Sequence, residues 1–302
     1  MQVGLDLVTS AICKSQLQFR LTNCYQLMYL TSTIYFQSAA VIGRRNTNSN
    51  LHKALSVVRQ LKVTFYMKQT DDFLANGFTT IDDVYTTDEV ENLLQQIKHA
   101  NTDKETFRKS TDLFAIRQFL KEVPSTLDTI LNDNLKNVLK QLLGNKYFIV
   151  KSIYFDKPPS SNWYVSYHQD LTISVDKKLE LEGFECWTTK QNQFAVQPPL
   201  CILQSVVTVR IHLDDTNESN GALKVIPNSH LKEIYRPETI DWTVESEVSC
   251  NISKGGIMLM KPLLLHSSGR TTNNRQRRVI HIEFSNQELP TVLNWAERIN
   301  FN

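Results

Sequence analysis

YFIVKSIYF (Tyr147–Phe155), LCILQSVVTVRIHL (Leu200–Leu213), GALKVIP (Gly221–Pro227), GIMLM (Gly256–Met260), PLLLH (Pro262–His266) and RVIHIEF (Arg278–Phe284) succeed one another through the second half of the chain. Each is a short run rich in β-branched and aromatic residues, and clusters of Pro, Gly, Asn and Asp separate them. Six or more strands with no helical segments between them exclude a parallel α/β sheet, whose crossovers need helices, and predict a mainly β core of the antiparallel jelly-roll kind.

Upstream the pattern changes period. DDFLANGFTTI predicts a short helix, a break at Asn76-Gly77 and a β run FTTI. A helix then begins near Thr87 and Asp88 with Leu93, Leu94 and Ile97 on one face. Residues 102–145 read as further helices through LFAIRQFL and LKNVLKQLLG, the last ended by Gly144. The expected architecture is therefore α+β: a β core with flanking N-terminal helices.

Residues 1–66 read as an N-terminal extension without coherent periodicity, with a polar hinge at Gly43–Asn50, and residues 67–302 as the folded domain. Met67 is an alternative start. The apolar stretch Leu21–Gly43 is interrupted by Asn23, Gln26 and Gln37 and lacks a small-residue cleavage pattern, so no membrane span or signal peptide is expected.

With 302 residues, 41% of them hydrophobic, the chain can bury a sizeable core. Lys and Arg total 33 against 31 Asp and Glu, a net charge of +2 that gives no general reason to expect nucleic acid or an anionic membrane as partner. Five cysteines (Cys13, Cys24, Cys186, Cys201, Cys250) without CxxC or CxC spacing fit neither a zinc knuckle nor a disulfide framework, and suggest a reducing cytoplasm. Nothing in the sequence sets the oligomeric state.

An H-x-acid pair on a strand presents both side chains on one face, so it can offer a nitrogen and an oxygen to one cation. With a distant second His it makes a two-imidazole, one-carboxylate triad, whose open positions suit Fe(II) that must hold a bidentate co-substrate and O2 together. Three such pairs occur: His168–Asp170, His212–Asp214 and His281–Glu283. The first sits among aromatics in NWYVSYHQDLT, at the entry to the β half, and is the preferred ligand pair. The second reads as a strand end with solvated acids at Asp214 and Asp215. The third lies in a strand buried on both faces, where His281 would be a hydrogen-bonded core histidine. His230, in PNSH, reads as a turn residue. Arg210 inside the apolar VVTVRIHL requires a buried anionic partner, either an internal acid or a bound carboxylate.

HQD (His168–Asp170), the preceding DKPP (Asp156–Pro159), NGALKVIPNSH (Asn220–His230) and HSSG (His266–Gly269) followed by RQRR (Arg275–Arg278) together resemble the phytanoyl-CoA dioxygenase family. The resemblance runs from about Gln69 to Arg298. It implies a double-stranded β-helix of cupin-like type and an Fe(II)/2-oxoglutarate-dependent oxygenase that acts on a small-molecule substrate. His168, Asp170 and His266 take the positions of the family's iron ligands. Ser268 and Arg277, two and eleven residues past the distal His, take those that hold the far carboxylate of 2-oxoglutarate. A guanidinium fork matches a carboxylate bidentately, which is why Arg is wanted there.

Arg275 is the second choice for that clamp, because strand alternation would put it on the same face as Arg277. Arg210, and Arg117 in the helix FAIRQFL, take the positions of further co-substrate contacts. The chain departs from the common family wording at Asn228, where Gly is usual; Asn tolerates a left-handed turn.

The chemistry implied is O2-dependent decarboxylation of 2-oxoglutarate to succinate and CO2, coupled to substrate oxidation, with ascorbate as accessory reductant. Asp170 makes hydroxylation the default outcome, since halogenating relatives carry a small residue in its place; cyclisation and desaturation stay open. Gln169, Tyr167, Trp163 and Trp187 are candidate pocket-wall residues. A jelly-roll module that binds metal without turnover is the main rival. A zinc hydrolase is disfavoured for want of an acid or His placed as general base beside HQD.

Overall fold

In the computed structural model, residues 47–100, 106–109, 114–159, 161, 163–190 and 193–301 are described. The chain divides into Met1–Phe65 and Tyr66–Asn302. Of the first unit, the described residues are helical, in α1 (Thr47–Asn76). The Leu21–Gly43 stretch lies outside the described residues, among which no helix is long and apolar enough to cross a membrane.

The second unit follows the order expected from Gln69 onward. Gly77, at φ 81°, breaks the chain after α1, and β1 (Phe78–Ile81) follows. Next comes α2 (Thr87–Lys98), capped by Thr86 in a reciprocal capping box with Glu89. Its buried stripe is Val90, Leu93 and Ile97; Leu94 is only half-buried.

The region 102–145 is less helical than its apolar spacing predicts. The described residues form β2 (Phe107–Lys109) and β3 (Phe114–Arg117) before α3 (Phe119–Glu122), α4 (Leu127–Ile130) and α5 (Asp133–Leu143). Arg117 therefore closes a strand and is not helical. Pairing with the long β4 (Phe148–Lys157) fixes this, Ile116 opposite Tyr154 and Arg117 opposite Ile153, since ladder hydrogen bonds override a weak local helix preference. LCILQSVVTVRIHL is split in the opposite sense. Pro198 and Pro199 start a helical turn, α6 (Leu200–Ser205), and only β9 (Val207–His212) is strand.

The remaining strands are β5 (Val165–His168), β6 (Ile173–Val175), β7 (Glu185–Lys190), β8 (Gln193–Gln197), β10 (Leu223–Val225), β11 (Val248–Ser249), β12 (Ile257–Met260), β13 (His266–Ser268) and β14 (Arg277–Ser285). They form an antiparallel seven-stranded sheet, β1-β12-β9-β14-β4-β3-β2, a four-stranded sheet, β11-β10-β13-β5, and a three-stranded sheet, β6-β8-β7. This is the antiparallel, cupin-like jelly roll the strand pattern predicts.

Residues directly opposed in an antiparallel ladder share a face. The outer face of the large sheet is apolar: Ile280 and Ile282 of β14 lie opposite Ile211 and Val209 of β9, and the helices cover it. Phe119 rests on Tyr154 at 5.9 Å between ring centroids, and the Leu120 N–H donates to Ser152 Oγ. The inner face is charged. It carries Arg277, His281 and Glu283 of β14, Arg210 and His212 of β9, and Lys151 and Lys157 of β4. Met258 and Met260 of β12 lie in register with Arg210 and Thr208, and they pack with Leu223 and Val225 of β10. That cluster closes the small sheet over the charged face, so the polar interior lies between the two sheets.

Candidate metal centre

His168 ends β5 and His266 opens β13, and the two are direct cross-strand partners. Their rings stand 4.2 Å apart between centroids. Asp170 follows two residues after His168, its backbone N–H held by Pro262 O at 2.9 Å. The carboxylate lies 3.9 Å from His168 Nε2 and 3.8 Å from His266 Nε2. One ligand atom from each residue falls within 4.8 Å of the others, and among the described residues these three form such a group.

The tautomers are set by the backbone. His168 Nδ1 meets Ser166 O and His266 Nδ1 meets Leu264 O, each at 2.9 Å. A carbonyl only accepts, so each Nδ1 donates and each Nε2 keeps its lone pair for a cation. Burial lowers His266 to about 4, which leaves it neutral and ligand-ready at physiological pH. Burial alone would raise Asp170, but the charges of His266, His281, Lys151 and His168 outweigh it and hold the carboxyl below its usual range. Two imidazoles with their Nε2 lone pairs turned inward and an ionised carboxylate fit a divalent cation of the Fe(II) type.

The rival pairs are engaged elsewhere. His212 is buried and bonded through Nδ1 to Thr216 Oγ1 at 2.7 Å. Asp214 is not a solvated acid: it takes the Arg278 fork, Nε at 2.8 Å and Nη2 at 2.6 Å, because β14 brings that guanidinium alongside the end of β9. Asp215 is exposed, as expected. His281 Nε2 contacts Glu283 Oε1 at 3.1 Å, and Lys151 Nζ donates to the same oxygen at 2.7 Å. His230 follows the left-handed Asn228 (φ 67°) and meets Leu74 O at 3.2 Å.

Arg277 is 8% exposed; its Nη1 donates to Gly221 O, which also accepts from Ser268 Oγ at 3.1 Å. Gly221 has φ +80°, and a Cβ there would stand 2.7 Å from Gly269 O and 2.8 Å from Lys157 Nζ, so glycine lets this corner close. Arg210 is 7% exposed and meets His281 Nδ1 at 3.3 Å. Neither guanidinium forms an ion pair with a carboxylate among the described residues, and the Nε of each is buried without an acceptor. Burial lowers Arg277 to about 9 and Arg210 to about 10. Two desolvated cations lacking an internal anion suit a diacid co-substrate.

Arg275 does not join them. Strand β14 begins at Arg277, so alternation does not extend back to Arg275, which is exposed in a turn where its backbone N–H bonds Asn273 Oδ1 at 3.0 Å. Arg117 is half-buried, and its register opposite Ile153 places it on the inner face.

The aromatic and amide neighbours of the ligands mostly do other work. Gln169 is buried, donating to Glu233 O at 2.8 Å and accepting from the Tyr235 N–H at 2.8 Å. Trp187 packs on the core beneath β6 and β8. Tyr167 bonds Glu247 at 2.6 Å and packs on Trp242, while Trp163 is half-buried. Sequence reasoning passed over Lys151. The signal was present, since a lysine inside YFIVKSIYF is as anomalous as Arg210 inside VVTVRIHL.

The sequence model of the family described as Phytanoyl-CoA dioxygenase (PhyH) matches residues 73–279. The chain belongs to the phytanoyl-CoA dioxygenase family. Members of that family are Fe(II)/2-oxoglutarate-dependent oxygenases. A curated relative, the "Probable alpha-ketoglutarate-dependent hypophosphite dioxygenase" of Stutzerimonas stutzeri, is 22% identical over 190 residues. The match takes in 58% of this chain and 57% of that protein.

EctD from S. alaskensis, crystallised with 2-oxoglutarate and 5-hydroxyectoine, superposes with a TM-score of 0.56 at 18% identity, covering 72% of this chain and 75% of that one. The non-heme alpha ketoglutarate dependent epimerase SnoN from nogalamycin biosynthesis gives 0.55 at 13% identity, over 74% and 83%. At these identities the likeness is one of fold.

Proposed function

We propose that this phytanoyl-CoA dioxygenase family protein is an Fe(II)/2-oxoglutarate-dependent dioxygenase that hydroxylates a small organic molecule. The observation that carries the reading is the pairing of three converging ligands with two buried, anion-less guanidinium groups. In this reading residues 67–302 are the catalytic domain, and His168, Asp170 and His266 hold the metal. Bound there, Fe(II) supplies O2 activation coupled to decarboxylation of 2-oxoglutarate, yielding succinate, CO2 and an oxidised substrate.

The chain's own residues bind and orient. Arg277 and Ser268 hold the far carboxylate of 2-oxoglutarate, which takes over the donors now directed at Gly221 O, and Arg210 and Arg117 complete its electrostatic cradle. The Ser166 and Leu264 carbonyls keep both imidazoles in the ligating tautomer. Unpaired Cys186, Cys201 and Cys250 support placing the protein in a reducing compartment such as the cytoplasm.

The test is succinate formation by purified protein with Fe(II), ascorbate, O2 and 2-oxoglutarate. The expected result is slow formation without added substrate, suppressed in Asp170→Ala. A wild type that binds 2-oxoglutarate under no condition and forms no succinate would make this a non-catalytic metal-binding jelly roll.

A further inference from the structure

We propose that Lys151, held by Glu283 on the inner wall, is a binding site for an acidic group of the primary substrate, and that the substrate is a small organic oxyanion. The proposal rests on the oxygenase reading above.

The first argument is position. Arg277 and Glu283 are six residues apart on β14, about 20 Å at the rise of an extended strand. A five-carbon diacid anchored at Arg277 spans only part of that length, and Lys151 lies opposite Glu283 at the far end. Lys151 nevertheless lies on the inner face over which the small sheet and its ligands close, one row of side chains along from His281 and Arg210. It therefore faces the reaction centre from the end that the co-substrate leaves free.

The second argument is unmet bonding. Lys151 Nζ donates once, to Glu283 Oε1 at 2.7 Å, and its other two N–H bonds have no partner among the described residues. Its side chain is 19% exposed, enough for a ligand to reach, whereas Glu283 is 3% exposed and fixes the ammonium in place. Thr208 lies in register with Glu283 on the same face; it is fully buried and its Oγ1 has no hydrogen-bond partner. An ammonium with spare donors and an unsatisfied hydroxyl in the same cross-strand row, one on each side of Glu283, are donors of the kind an oxyanion takes.

The third argument is charge. Among the described residues, the inner face of the large sheet carries five cations, Lys151, Lys157, Arg117, Arg210 and Arg277, against Glu283 on the same face and Asp170 of the ligand set. A divalent metal and a dianionic co-substrate cancel, so the cationic surplus persists in the loaded site. A cationic substrate would be repelled there, and a neutral one would leave the surplus uncompensated.

The experiment presents small metabolites sorted by charge (carboxylates, phosphonates with phosphate esters, neutral alcohols and sugars, amines) to protein loaded anaerobically with Fe(II) and 2-oxoglutarate. Binding is read as a shift of the visible band of the Fe(II)–2-oxoglutarate chelate, and succinate formation is read in air. The expected binders come from the carboxylate or the phosphorus set, and which set responds identifies the oxyanion. Lys151→Met should weaken the binder tenfold or more, Lys151→Arg should retain part of the affinity, and the chelate band without binder should be unchanged.

Lys151→Met leaves Glu283 unpaired, so Lys151→Met with Glu283→Gln, and Thr208→Val alone, serve as folded controls; both should weaken the same binder severalfold or more. Binders confined to the neutral or amine sets, or equal affinity in all variants, would overturn the proposal. Should wild type form no chelate band, the oxygenase reading falls instead. Calorimetric titration of the anionic sets into metal-free protein then decides: binding lost in the variants supports the Lys151 site, and equal or absent binding overturns it.

Discussion

On the small sheet, the ring nitrogens that a metal does not need are occupied by carbonyls two residues away in sequence, Ser166 O for His168 and Leu264 O for His266. On the large sheet, Arg210 and Arg277 are buried with Nε atoms that meet no acceptor among the described residues, and the Lys151–Glu283–His281 chain is assembled from strands far apart in sequence. The ligand side is thus set locally, each imidazole oriented by its own strand, and it stays partly open, with the His168 side chain 40% and Asp170 27% exposed. The charged side is set by register and stays electrostatically incomplete. Among the described residues, the small sheet gathers two imidazoles and a carboxylate, and the large sheet buries guanidinium groups that pair with no carboxylate.

Removing a ligand should have the largest effect. Asp170→Ala leaves two imidazoles without the carboxylate charge that favours a divalent metal, and iron affinity by calorimetry should fall at least about a hundredfold, beyond the 10–100-fold typical of outer-shell losses. Removing the buried fork comes next. Arg277→Met should weaken 2-oxoglutarate by about 3 kcal/mol, roughly a hundredfold, from lost charge-assisted hydrogen bonds, with iron affinity intact. A variant that loses both affinities together would collapse the distinction between the two sheets.

The inner wall also predicts a pH effect. His212 is held well below the usual histidine range, first by burial and then by Arg210 and Arg277. Its folded form stays neutral while the unfolded chain takes up a proton below about pH 6.5, so stability is lost as pH falls through that value. Metal-free protein should lose about 1.4 kcal/mol between pH 7 and 5.5 from this residue, measured by urea unfolding, and His212→Asn should remove that part of the slope. The smallest effect is expected at Arg275. Its exposed guanidinium lies in the turn before β14, and Arg275→Ala should change 2-oxoglutarate affinity less than about twofold.

The legibility of the chain follows the same division. The β half, the capped α2 and the ends at Gly77 and Gly144 were readable because period, caps and glycines act locally. So was the convergence of His168, Asp170 and His266, once motif order chose among three similar pairs. FAIR and LCIL were misassigned, because β4 pairing and the Pro198-Pro199 start decide them, and neither is expressed in apolar spacing. Arg275 was placed by extending alternation into a turn, and the Arg278–Asp214 fork was invisible because it joins residues 64 apart. Lys151 could have been found by the test already applied to Arg210, a cation inside an apolar run.

The central claim is joint, an iron site together with a carboxylate clamp at Arg277. Anaerobic titration of the Fe(II)-loaded protein with 2-oxoglutarate, following the visible chelate band, addresses both parts at once. The account predicts a saturable band in wild type and Arg275→Ala, no band in Asp170→Ala, and a midpoint about a hundredfold higher in Arg277→Met. An Arg277→Met protein that saturates like wild type while Arg275→Ala requires more co-substrate would contradict it.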